Sequence, residues 1–147
     1  YAVLNSPTYR KKYKEFLTIE FPRIPIPKNQ SDFDGLSLLG NRLRKLHTMS
    51  EWTPGNFSFV GEGSNVINKY RFQDDRIYIN EDQYFSSVPE RAWSLFIGGY
   101  QPAQSWLKYH RGRALGYKEI EHYQKILNAM VETYELMGKI DKEVGSM

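Results

Sequence analysis

Between Arg91 and Lys118 the chain runs for 28 residues without an Asp or Glu, and it carries Lys108, Arg111, Arg113 and Lys118 beside Trp93, Tyr100, Trp106, Tyr109 and Tyr117. Cations without intervening acids can neutralise phosphates, and interleaved rings can stack on sugars or bases. The stretch has its own organisation. Gly98-Gly99-Tyr100-Gln101 reads as a turn, Pro102 suits the first position of a helix, and Ala103 to Tyr109 continue that helix to an end near Gly112. On it Gln104 and Lys108 share one face, and Ser105 and Tyr109 the adjacent one. For Trp93, Trp106 and Leu107 taken singly, ordinary core packing is the simpler reading.

Other chemistry finds less support. Phe59-Val60-Gly61-Glu62-Gly63 has the F-x-G-x-G form of the S-adenosylmethionine loop of DNA amino-methyltransferases. That loop needs a strand before it and a helix after it, whereas Ser64 to Asn68 continue as strand, so a glycine turn between strands is expected. No two prolines are adjacent, which removes the second methyltransferase signature. No lysine has a carboxylate two residues before it, as a PD-(D/E)-x-K nuclease requires. His47, His110 and His122 lack metal-ligand spacing, and Asp74-Asp75 and Asp32-x-Asp34 fit a hairpin turn and a helix cap better than a Ca²⁺ loop. No nucleophile, base and orienting group assemble into a catalytic set.

At 147 residues with 40% hydrophobic and 15% aromatic content, one domain with a sizeable core is expected, with room for two lobes. Without cysteine, disulfides and thiolate metal sites are excluded. No apolar run approaches the length of a membrane span, and the start, Tyr1-Ala2-Val3-Leu4-Asn5, reads as a piece of a longer soluble protein. The net charge of +3 is unevenly spread: residues 1 to 118 hold 17 cations and 11 acids, whereas residues 119 to 147 hold 3 and 6. A pI near 9.0 is modest for a lone nucleic-acid binder and suits a module assisted by an attached neighbour.

The elements that would position these groups follow from periodicity. Pro7 to Leu17 reads as a basic helix with Arg10, Lys11, Lys12 and Lys14 around Tyr9, Tyr13, Phe16 and Leu17. Phe21 to Pro27, with three prolines, must be an extended strap that braces helices. Ser31 or Asp32 caps a helix in which Leu36, Leu39, Leu43 and Leu46 form a stripe, to be covered most simply by the final helix. Strands follow: Asn65 to Phe72, a turn at Gln73-Asp74-Asp75, and Arg76 to Asn80, in which Ile77 and Ile79 alternate with Arg76, Tyr78 and Asn80. Pro89 to Ser94 is a helical turn and Leu95-Phe96-Ile97 a buried strand. Ile120, Tyr123, Leu127, Met130, Tyr134 and Met137 then mark a long amphipathic helix, about Tyr117 to Glu143. The fold class is α+β, with a long C-terminal helix packed with a small antiparallel sheet. Residues 1–52 and 117–147 are helical, and residues 57–116 are β-rich and basic.

Several segments in order resemble one family. They are Tyr1 to Arg10; Phe21 to Pro27; Arg76-Ile77-Tyr78-Ile79-Asn80; Ile97-Gly98-Gly99-Tyr100-Gln101 with Trp106-Leu107-Lys108 and Gly112-Arg113; and His122-Tyr123-Gln124. Together they resemble the C-terminal specificity, or target recognition, domain of type ISP restriction-modification enzymes and related adenine-specific DNA methyltransferases. The resemblance implies that residues 1–147 form a single target-recognition domain that binds double-stranded DNA and follows a methyltransferase domain in one large bacterial, cytoplasmic polypeptide, often with a nuclease and a helicase-like motor further upstream. It implies no catalytic residue and no cofactor in this chain. S-adenosylmethionine, Mg²⁺ and ATP would belong to the parent enzyme.

Within that reading the DNA-contacting candidates are Lys108, Arg111 and Arg113 for phosphates or guanine, and Lys69, Arg71 and Arg76 on the hairpin. Gln73, Gln101 and Gln104 are candidates for amide contacts to adenine edges. Motifs shared across a family that reads different sequences suit scaffold or phosphate contacts, which leaves base reading to the less familiar loops. The alternative is a protein-docking module whose basic stretch serves only solubility. A single-strand or RNA binder has less support, resting on Tyr70, Phe72 and Tyr78 alone.

Overall fold

The computed structural model describes residues 1–146. After a 3-10 turn at Val3–Asn5 come helices α1 (Pro7–Lys12), α2 (Lys14–Ile19) and α3 (Gln30–His47). Four short strands follow: β1 (Phe59–Val60), β2 (Arg71–Gln73), β3 (Arg76–Tyr78) and β4 (Tyr84–Phe85). Helices α4 (Glu90–Ser94), α5 (Pro102–Tyr109) and α6 (Tyr117–Ser146) complete the order. The expected α+β class is observed, with helices, one small antiparallel sheet and a long C-terminal helix. The chain divides into two compact units, one of Tyr1–Glu51 with Glu135–Met147 and one of Trp52–Tyr134.

In the first unit the expected basic helix is interrupted at Tyr13, whose φ of −110° and ψ of 21° leave the helical region. Ser6 caps α1 by accepting from the Tyr9 amide, and Asp141 accepts from the Ser6 hydroxyl, the Thr8 amide (3.2 Å) and the Thr8 hydroxyl (3.0 Å). The cap of α3 is Asn29, which accepts from the Asp32 amide at 2.9 Å, rather than Ser31 or Asp32. Leu36, Leu43 and Leu46 are buried as the stripe requires, and Leu39 is half-buried. The close approach of Gly35 to Glu143, where a Cβ would lie 3.7 Å from Oε2, sets α3 against the last turns of α6. Residues 21–27 have no regular structure, as three prolines dictate, and the Tyr9 hydroxyl ties them down by donating to the Arg23 carbonyl at 2.9 Å.

The second unit holds the larger core. Ile67, Ile77, Ile79, Phe85, Val88, Leu107, Tyr123 and Leu127 are fully buried there in one cluster. Its sheet runs in the order β1-β4-β3-β2 with antiparallel neighbours. Asp74 and Asp75 turn the hairpin between β2 and β3 with φ of 52° and 55°, the sign a two-residue type I′ loop requires at both positions. The expected strand from Asn65 is realised from Arg71 only. Asn65 itself has φ of 60°, and Asn65 to Ile67 pair instead with residues 112–115, through a bridge of Val66 with Ala114 and bonds from Gly112 N to Ile67 O (2.7 Å) and Leu115 N to Asn65 O (2.8 Å). The expected buried strand at 95–97 is also corrected: the Gly98-Gly99 turn folds back so that Ile97 bridges only Tyr100, and Phe96 is exposed. After Val60 the chain turns at Gly61 (φ 103°) with no helix following, as a glycine turn should. On α6 the stripe buries Tyr123, Leu127 and Met130, and Tyr134 is exposed beneath the Arg91 guanidinium (5.9 Å).

Candidate nucleic-acid interface

The two-residue side-chain period of a strand gives the sheet two unlike faces. Phe72, Ile77, Phe85 and Phe59 point to the core, where Phe72 stacks on Trp93 (6.2 Å, 18°) and Phe59 lies 4.9 Å from Phe85. The opposite face carries Arg71, Gln73, Arg76, Tyr78 and Tyr84. Arg71 pairs across strands with Tyr78, and its guanidinium lies 4.1 Å from the Tyr78 ring centre. Arg76 lies 4.5 Å over the Tyr84 ring and donates from Nη1 to the Tyr78 hydroxyl at 3.3 Å. The two rings are 5.0 Å apart. Cations so placed are held by the ring quadrupoles and keep most of their N–H donors outward. The bond to Tyr78, with the nearby Tyr84, holds the Arg76 pKa above its ordinary value, so it is charged throughout.

The acid-free segment meets this sheet through the backbone pairing of residues 112–115 with 65–67. That pairing brings Arg111 to the base of the hairpin, where its Nε donates to the Asn68 carbonyl at 3.0 Å and its guanidinium lies 6.0 Å from the Tyr70 ring. Lys69 and Arg71 line a cleft together with Glu81 and Asp82. Lys69, Arg71, Gln73, Arg76 and Arg111 are all exposed around the hairpin, and Lys108 is exposed in the last turn of α5. Arg113 is also exposed but pairs with Glu119 at 3.3 Å. An exposed pair of this kind contributes little to stability and leaves the cation accessible.

Gln101 and Gln104 are placed differently. Their side-chain amides donate to the carbonyls of Ser94 (3.1 Å) and Trp93 (3.3 Å), tying the end of α4 to α5. The two tryptophans of the segment are internal: Trp106 stacks on His110 (3.8 Å) and Tyr123 (4.9 Å), and Trp93 on Phe72. Phe96, Tyr100, Tyr109 and Tyr117 are the exposed rings of the segment. The Tyr123 hydroxyl donates to the Ala103 carbonyl at 2.7 Å, and burial, with a smaller contribution from Tyr70, pushes its pKa well above the ordinary value.

Sequence reasoning missed Gln83, which is buried beneath the hairpin. Its Oε1 accepts from the Asn65 amide (2.8 Å) and Asn80 Nδ2 (3.0 Å), and its Nε2 donates to Asn65 Oδ1 (2.6 Å) and the Gly61 carbonyl (3.3 Å). No local pattern signals such a hub, because its partners are 3 to 22 residues away. Tyr84 was missed as well, although the alternation that sets Tyr78 beside Arg76 reaches it through the β3–β4 register.

Among the described residues no group of three or more His, Cys, Asp or Glu could hold a metal ion, and no helix is long and apolar enough to cross a membrane. No curated protein matches the sequence. The sequence model of the family described as Type ISP C-terminal specificity domain matches residues 1–139. The chain belongs to that family. Solved structures similar to this specificity domain include a nuclease-deletion mutant of the Type ISP restriction-modification enzyme LlaGI in complex with a DNA substrate mimic (23% identity, TM-score 0.69). The DrdV–DNA complex (20%, 0.77) and the ATP-dependent Type ISP enzyme LlaBIII bound to DNA (18%, 0.70) share the fold as well. Each match covers 95% of this chain but only 13%, 17% and 10%, respectively, of the other, so the specificity domain corresponds to a small part of each.

Proposed function

We propose that residues 1–147 act as one non-catalytic module that recognises a double-stranded DNA target for a longer, cytoplasmic restriction-modification enzyme. Methylation and cleavage are carried out elsewhere in that polypeptide, where S-adenosylmethionine, Mg²⁺ and ATP would be used. One observation carries the reading: the 112–115 pairing with 65–67 brings Arg111 from a separate part of the chain to the base of the hairpin on which Lys69, Arg71 and Arg76 are exposed. Membership of the specificity-domain family and the fold shared with enzymes solved on DNA support it.

In this reading Lys108, Arg111 and Arg113 hold phosphates, and the hairpin faces the groove. The Gln101 and Gln104 amides brace the α4–α5 corner behind the surface. The test is fluorescence anisotropy of the chain with random duplex DNA between about 50 and 200 mM salt, where phosphate-driven binding weakens steeply. Wild type should bind with a negative salt slope. Lys108→Ala with Arg111→Ala should weaken binding to every duplex and flatten the slope by about 2. An unchanged slope would remove both residues from the phosphate contacts.

A docking role has separate support in the first unit, where Phe21 is 95% and Ile26 is 89% exposed on the proline-fixed strap. On that reading Ile26→Asp would weaken association with a separately produced methyltransferase domain and leave duplex binding unchanged.

A further inference from the structure

The cations of the second unit fall into two kinds of neighbourhood. From Arg91 to Lys118 there is no acid, the condition for attracting phosphates. On the hairpin, by contrast, Arg71 and Arg76 are matched by Asp74 and Asp75 at its tip, and Lys69 and Arg71 share the lining of a cleft with Glu81 and Asp82. A locally neutral surface gains little from releasing counterions, so it is poorly suited to gripping a backbone. It is well suited to base edges. In the major groove an Arg fork pairs with guanine O6 and N7, and an Asp accepts from cytosine N4.

Geometry makes the two arginines unusual among exposed ones. Neither is in an ion pair among the described residues, yet both are held: Arg71 against the Tyr78 ring, and Arg76 against the Tyr84 ring with a bond to the Tyr78 hydroxyl. An exposed Arg ordinarily loses about 2 kcal/mol of rotamer entropy when it is fixed, and stacking removes part of that cost before any ligand arrives. The supporting strands are fixed in turn. Their core face is anchored by Ile77 and Phe85, and the loop following β3 is anchored by the Gln83 hub.

We infer that the β2–β3 hairpin face is the base-reading element of this chain, that Arg71 and Arg76 read two guanines of the target, and that Tyr78 and Tyr84 are positioning residues that fix the guanidinium planes. The inference rests on the duplex-recognition reading above and adds to it the base composition of the target and two residues with an assigned role. Tyr78 serves both arginines and Tyr84 serves Arg76, so the two tyrosines differ in what their loss affects.

The test is selection by the full 147-residue chain from a duplex library with a randomised centre, followed by sequencing of the bound fraction. Wild type is expected to enrich sites with at least two fixed G·C pairs. Arg71→Ala and Arg76→Ala should each lose the preference at a different position, by roughly tenfold or more. Tyr84→Leu should weaken the Arg76 position alone. Tyr78→Phe, which keeps the ring under Arg71 and removes only the hydroxyl, should leave the Arg71 position intact. None of the four should alter the salt slope, which separates reading from phosphate binding, and near-ultraviolet circular dichroism checks that each variant keeps its packing.

A consensus without guanine, or one that survives both arginine substitutions, overturns the inference. Salt-dependent binding with no consensus also overturns it while sparing the duplex-binding role. Failure of wild type to retain any duplex at low salt overturns both.

Discussion

The two units divide charge and apolar surface in opposite ways. Tyr1–Glu51 with Glu135–Met147 holds eleven Lys and Arg against eight Asp and Glu, whereas Trp52–Tyr134 holds nine of each. The whole net charge of +3 therefore lies outside the unit that carries the candidate interface. The first unit also exposes Phe16, Ile19, Phe21, Ile26 and Leu38, and the second has the continuous apolar cluster. Net charge, then, does not locate the interface. The candidate interface is marked instead by the separation of charge within a neutral unit, where an acid-free segment lies beside a hairpin of balanced sign.

Stability measurements can break that contrast. Phe85 is fully buried at the centre of the second unit, so Phe85→Ala should cost about 3–5 kcal/mol in urea unfolding, whereas Phe21→Ala on the exposed strap should stay within about 0.5 kcal/mol. Comparable losses would mean that the strap is covered in solution. Gln83→Leu keeps the side chain's bulk but strands the Asn65 amide and takes one acceptor from Asn80, and a loss of about 3 kcal/mol is expected, with faster amide exchange at Asn65. In the first unit the corresponding polar anchor is Asp141. Its replacement by Ala removes acceptors for Ser6 and Thr8 at a partly exposed site, and about 1–2 kcal/mol should be lost, seen as a lower urea midpoint with an unchanged slope.

The smallest effect is one of pH. Burial lowers the His47 pKa, and its Nδ1 lies 2.5 Å from the Tyr1 hydroxyl. A depressed folded pKa means that the unfolded chain binds the proton first. The His47 contribution is therefore complete above about pH 6.5 and declines as the pH falls through that value toward the folded pKa. His47→Gln should reduce the difference in melting temperature between pH 7.5 and 5.5, and a difference equal to that of wild type would assign the dependence to other groups.

Much of this was legible in the sequence where the signal is local and repeated. The Leu36 to Leu46 stripe, the α6 periodicity, Pro102 at the start of α5 and the Asp74-Asp75 turn each follow from residues within a turn or two of one another. Errors arose where several local options compete or a distant partner decides. Asn29, Ser31 and Asp32 are all competent caps, and only the geometry of α3 selects Asn29. Asn65 to Tyr70 look like strand, yet residues 112–115 claim part of them. Phe96 looks buried, yet the Gly98-Gly99 turn faces it outward. For the candidate site, residue type names the cations and amides but does not show which amides are already bound to a carbonyl, as those of Gln101 and Gln104 are. Nor could it show that Tyr78 and Tyr84 lie under arginines, because that requires the register of three strands.

The tip of the hairpin has a kinetic consequence. Asp74 and Asp75 occupy left-handed backbone that Asn or Gly would accept more readily, so the turn keeps two negative charges where neutral residues would fit with less strain. Beside a DNA backbone those charges are repelled. If the hairpin reads bases as inferred, an unmatched sequence offers its arginine forks no partner, and dwell time there would be set by the acid-free segment. On a matched sequence the arginine forks would add their bonds, and residence would lengthen. On the base-reading role inferred above, an acidic tip would act as a timer, speeding departure from wrong sites while base contacts offset its repulsion at the right one.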